Sequence, residues 1–195
     1  GRLVIMISEG SNAASMSRFH KFIEGLPEIS RPGPLPIVHT TDAFLFRRII
    51  EERVLKPTMC GTYKRSLLYF FYGRPAYRPN PGVLSTSLTS LYPVCFILDR
   101  SSVNAPEKMV PFDSGAMNAG LYADYLHGAM TLADFELPGD FGLVDKLVGF
   151  FFGTTANYLS ARPCPGVLIP PSQFEAESYR ALISSVAQSK IDDRR

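Results

Sequence analysis

The sequence predicts an α+β chain, and three observations carry that reading. Leu67-Leu68-Tyr69-Phe70-Phe71-Tyr72 is apolar and aromatic, and Gly73-Arg74-Pro75 closes it with turn formers, the pattern of a buried strand. Tyr92-Pro93-Val94-Cys95-Phe96-Ile97-Leu98 reads as a second core strand. Around these runs lie segments with apolar residues at helical spacing, and no glycine-rich phosphate loop joins a strand to a helix. With 195 residues, 46% of them hydrophobic and 19% charged, the chain has the composition of one globular domain, 1–195, able to bury a single core.

The elements follow in chain order. Ser15 to Leu26 predicts an amphipathic helix with Phe19, Phe22, Ile23 and Leu26 on one face and Ser15 or Ser17 as its cap. The proline-rich stretch 31–36 reads as a stiff loop delivering a short strand, Ile37-Val38-His39-Thr40. Thr41 or Asp42 then caps a helix carrying Phe46, Ile49, Ile50 and Val54, which stops before Pro57. A polar loop leads to the strand at 67–72, and Pro79-Asn80-Pro81-Gly82 makes a turn before the strand at 92–98. Met109 to Phe112 reads as a short strand, Ala116 to Leu126 as a helix, and Phe141 to Leu159 as a longer one. After a rigid loop containing Cys164, the segment Phe174 to Ala187 reads as a helix or as a strand followed by a helix.

Charge and cysteine content narrow the function classes. A formal net charge of +2 is too small to announce nucleic-acid binding by itself, although it leaves room for a local basic patch. No apolar run approaches the roughly 18 residues that span a bilayer, so no membrane partner is expected. Leu3 to Ile7 lacks a basic flank and a full apolar core and is not read as a signal peptide. Three widely spaced cysteines, Cys60, Cys95 and Cys164, fit a reducing cytoplasm and neither a disulfide framework nor a zinc site. The three histidines fall in no metal-binding motif, so no metal is expected.

Several residues carry possible chemistry. His39 ends a short apolar strand just before polar Thr40, Thr41 and Asp42, where it would donate a hydrogen bond into a cleft; the alternative is a satisfied core histidine. Arg74 emerges where a buried strand stops, and its planar guanidinium suits phosphate or carboxylate; the alternative is a surface arginine at a turn. Strand alternation puts Tyr69 and Phe71 on one face and Phe70 and Tyr72 on the other, and one of the tyrosines would stack on a flat heterocycle. Glu175 and Glu177 would face the same side in a strand and diverge in a helix, where they would form an exposed acidic first turn. Ser114, in Asp113-Ser114-Gly115, and Cys164 are weaker candidates for a hydrolytic nucleophile, Ser114 lacking the full nucleophile elbow and Cys164 a local histidine, with His127 the one to spare.

Together these pieces resemble the ADP-ribosyltransferase fold, and within it the branch of DarT-type toxins that modify DNA. The motifs are Val38-His39-Thr40-Thr41, then Leu68-Tyr69-Phe70-Phe71-Tyr72, then Arg74-Pro75-Ala76-Tyr77, with a late glutamate; they cover about Ile37 to Leu98 and extend towards Glu177. The resemblance implies a split mixed sheet flanked by helices and an enzyme that transfers ADP-ribose from NAD. It implies NAD binding by His39, Thr40, Thr41, Tyr69 and Tyr72, and catalysis by Arg74 with Glu175 or Glu177. As partners it implies a nucleic-acid acceptor and a neutralising antitoxin protein. The serine that follows the arginine in that family is absent here. Two other classes stand beside this reading: a non-catalytic protein-binding module on the same fold, and a hydrolase using Cys164 or Ser114.

Overall fold

Leu67–Tyr72 lies inside one long strand, Arg65–Tyr72, about which a seven-stranded sheet is built. The computed structural model describes residues 2–8, 16–27, 32–76, 87–103 and 106–187. The strands are β1 (Val4–Ile7), β2 (Ile37–Asp42), β3 (Thr58–Cys60), β4 (Arg65–Tyr72), β5 (Pro93–Leu98), β6 (Lys108–Val110) and β7 (Leu137–Pro138). The helices are α1 (Arg18–Glu24), α2 (Ala43–Glu52), α3 (Ser114–Asn118), α4 (Phe141–Phe152), α5 (Thr155–Leu159) and α6 (Phe174–Ala187). The sheet runs β5-β2-β4-β1-β6-β7, with β3 paired to the start of β4. The α+β class holds, but every described pairing is antiparallel, in place of the expected mixed sheet.

Both sides of the sheet explain why β4 is so apolar. Phe70 and Tyr72 join Leu3, Ile5 and Ile37 in the main core under α1, α4 and α6, where Phe19, Phe112, Phe135, Phe151 and Tyr179 interlock. Leu67 faces the opposite way into a small cluster with Val4, Met6 and Val110, flanked by Tyr69 and Phe71. Each large side chain buried in this way contributes roughly 1.5–3 kcal/mol. The predicted alternation of Tyr69 and Phe71 against Phe70 and Tyr72 is therefore present.

Other expectations need correction. The run at 92–98 is an edge strand, β5, paired among the described residues only to β2, with Pro93, Cys95 and Ile97 exposed. Leu3 to Ile7 contains β1, which sits between β4 and β6 near the middle of the sheet. The supposed polar loop before β4 holds β3. The helix expected over 116–126 is the five-residue α3, followed by turns through Gly120 at φ 72°. The helix expected over 141–159 divides at Gly153, whose φ of 72° ends α4 before Thr154 caps α5. Ser17 caps α1 and Asp42 caps α2, each accepting from a backbone N–H three residues on; Ser15, the other cap named for α1, and the turn at 79–82 lie outside the described residues. The 174–187 segment is one helix with no strand before it. No helix among the described residues is long and apolar enough to cross a membrane.

Candidate functional site

The five residues expected to hold NAD all sit where β2 and β4 meet, but on two faces of the sheet. β2 pairs with β4 only at Ile37 and Val38 and then parts from it. His39 fills the parting: its Nδ1–H donates to the Tyr69 carbonyl at 2.9 Å, and its ring lies 5.8 Å from Phe70 and 6.3 Å from Phe96. That bond assigns the proton of the neutral ring to Nδ1 and leaves Nε2 an acceptor, which meets no hydrogen-bond partner among the described residues. Thr41, buried, shares the His39 face. Thr40 lies on the other face, 3.7 Å from Cys95 Sγ, together with Tyr69.

Neither tyrosine offers an open ring beside His39. Tyr72 is 1% exposed; its hydroxyl accepts from Leu35 N–H at 3.1 Å and donates to Asp145 at 3.2 Å. Burial raises its pKa above the usual tyrosine value. Tyr69 points to the far face, where its hydroxyl is 2.7 Å from Cys60 Sγ and beside Ser114. Arg74 follows β4 at its far end, with its guanidinium 5.7 Å from the centre of the Tyr158 ring. It is therefore a strand-end residue packed on an aromatic. Ser114 is buried in the first turn of α3. Cys164 is half-buried behind Gly153, and no described hydrogen bond links it to a histidine.

Glu175 and Glu177 lie elsewhere. Both are in the first turn of α6, which packs against α1; α1 in turn covers β7 and α4. β7 is four strand spacings from β2, about 19 Å at ~4.8 Å per strand. The constellation expected from the sequence is thus divided between two places. The sheet brings His39, Thr41 and the Tyr69 backbone together, and α6 brings the carboxylates to a different one.

What α6 does assemble is a groove of about 670 Å³. Its walls are Arg18 at the start of α1, His127 and Met130 from the loop before β7, Asp134, and Phe174, Glu175 and Glu177 from α6. The volume is within the range of small-molecule sites. Its three carboxylates differ sharply in their partners. Asp134 accepts from the Thr131 N–H at 2.7 Å and its hydroxyl at 3.0 Å. Glu177 accepts from Arg180 at 2.7 and 3.0 Å. Glu175 is only 7% exposed, yet it forms no hydrogen bond and no ion pair with a described residue. Its oxygens are not among the described polar atoms cut off from solvent, so the carboxylate opens into the groove, where it can meet a ligand.

The remaining polar groups are hydrogen-bond donors, and they stand beside apolar wall. Ala129 N–H donates to His127 Nδ1 at 3.1 Å, so the neutral imidazole carries its proton on Nε2 and can donate it to an acceptor. Arg18 is exposed at the rim and has no ion-pair partner among the described residues. Phe174, 58% exposed, and Met130 supply apolar wall. Arg18 and His127 carried no local sequence signal for this role; they meet Glu175 only through the packing of α1 and the 127–134 loop against α6. Among the described residues no group of histidine, cysteine, aspartate and glutamate is arranged to hold a metal ion. No protein-family model, curated protein or solved structure matches this chain.

Proposed function

We propose that the chain is an ADP-ribosyltransferase-type enzyme acting on NAD, with Glu175 as its essential carboxylate and the α6 groove as its active site. The observation that supports this reading is Glu175, a largely buried residue whose carboxylate has no partner among the described residues and opens into a cavity of ligand size. In the reaction the C1′–N bond to nicotinamide breaks and its electron pair leaves with the nicotinamide ring. Glu175 stabilises the positive charge that develops on the ribose. Arg18 and the Nε2–H of His127 meet the pyrophosphate, and Phe174 lies against a ring. The acceptor then bonds to C1′ and loses a proton. The family resemblance makes a nucleobase the acceptor and a protein antitoxin the natural inhibitor. In this reading His39, Thr40, Thr41, Tyr69, Tyr72 and Arg74 build the scaffold.

The test is nicotinamide release from NAD, followed chromatographically with water and with single-stranded DNA as acceptors. Wild-type protein releases nicotinamide, and Glu175→Gln lowers the rate by about 100-fold or more while circular dichroism is unchanged. The reading fails if wild-type protein neither binds NAD in calorimetry nor consumes it, or if Glu175→Gln turns over like wild type. A second reading, a protein-binding module, is favoured by one observation: the exposed apolar residues of α2 and β5, including Phe44, Ile50 and Ile97.

A further inference from the structure

We infer that the outer face of α2 is the seam of a two-fold homodimer. α2 is ten residues long, and none of them is buried. Its inner side, Leu45, Phe46 and Ile49, is half-buried towards β2 and β5, with Phe46 5.0 Å from Phe96. Its outer side carries Arg47, Arg48, Glu51 and Glu52, with apolar residues exposed among them. Phe44 is 55% exposed, Ile50 53%, and Val54, two residues past the helix, 42%.

The charges on this face say which partner fits. Phe44, Arg47 and Glu51 follow one another at helical spacings of three and four and so share a ridge, which ends at the left-handed Arg53. A second α2 laid antiparallel, with the two-fold axis level with Ile49, sets Arg47 against Glu51 of its copy, and symmetry repeats the contact. Arg47 already lies over the Phe44 ring at 5.2 Å, which keeps its guanidinium on the ridge. A uniformly acidic or basic partner would meet a like charge in Glu51 or Arg47, whereas a copy of the same helix meets neither. The seam also lies beside β5, an edge strand without a charged residue between Pro93 and Leu98, the kind of edge that an interface protects.

A ten-residue helix is about 15 Å long, so the association belongs to the small, weak class of interfaces. Sedimentation velocity from about 10 μM to about 1 mM is the matching test. Wild-type protein shifts from monomer towards dimer mass with concentration, and high salt reduces the shift. R47E alone and E51R alone stay monomeric, because each sets like charges together twice. The double variant R47E/E51R dimerises again, and so does an equimolar mixture of the two single variants. Both positions are exposed, and circular dichroism verifies that each variant is folded. A wild-type chain that stays monomeric throughout overturns the inference. So do single variants that associate like wild type, or a mixture that does not associate.

Discussion

Arg100 reaches over the end of the sheet to Asp145 on α4, with Nη1 2.9 and 3.1 Å from its two carboxylate oxygens. The pair is unequal: the arginine side chain is 26% exposed and the aspartate 7%. Removing the arginine strands a buried carboxylate with only the Tyr72 hydroxyl for company, while removing the aspartate leaves a guanidinium that water can reach. Arg100→Met therefore costs about 3 kcal/mol or more in urea unfolding. Asp145→Asn costs about 1–2 kcal/mol. Equal losses would contradict the unequal burial.

His39 and Glu175 separate structural from chemical roles. His39→Phe keeps the aromatic packing on Phe70 and Phe96 but strips the Tyr69 carbonyl of its donor, so stability falls by about 1–2 kcal/mol. Nicotinamide release survives this change. Glu175→Gln does the reverse, with thermal stability within about 0.5 kcal/mol of wild type and activity lost. A His39→Phe protein that is fully stable but inactive would move the active site back to β2.

Cys60 sits among groups that favour its thiolate. Burial raises its pKa, but the Tyr69 hydroxyl at 2.7 Å and the Tyr63 N–H at 3.4 Å donate to Sγ, and with Thr62 they hold it below the ordinary cysteine value. The thiolate is the form that reacts, so a lowered pKa moves the alkylation midpoint to lower pH. Iodoacetamide labelling read by mass spectrometry gives Cys60 a midpoint below the ordinary cysteine value. Tyr69→Phe removes a donor to the thiolate and moves that midpoint up; an unmoved midpoint would refute the hydrogen bond's role.

Gly139 admits no side chain. A Cβ there would lie 1.7 Å from the Pro106 carbonyl oxygen, a backbone atom that cannot swing aside. Gly139→Ala thus destabilises by about 3 kcal/mol or more. Gly128→Ala, where nothing lies within 4 Å, stays within about 0.5 kcal/mol of wild type. Chemical denaturation of the two variants side by side checks the contrast.

How far the chain could be read depended on whether each signal was local. β4 was legible because both its faces are covered and the run from Leu67 to Tyr72 is apolar and aromatic without a break. The same argument misplaced β5: a continuous apolar run looks alike in a core strand and in an edge strand with one open face, since pairing order is not written locally. β1 is only four residues long, and its central position rests on partners far along the chain. The candidate site fared likewise. The acidic first turn of α6 was visible in Glu175 and Glu177, but the difference between them was not. It arises because Arg180 lies one turn from Glu177, whereas Glu175 points to a cavity closed by residues from α1 and the 127–134 loop.

The place of β1 also governs how this protein comes into being. β1 is made before both of its neighbours, β4 and β6, so it waits with both edges open while those partners are synthesised. Contacts so distant in the chain make for slow folding, and an unpaired apolar strand is a point of aggregation in the meantime. Yield in a cell is therefore set by how long Val4–Ile7 stays unpartnered, and a chaperone that shields short apolar strands would raise it.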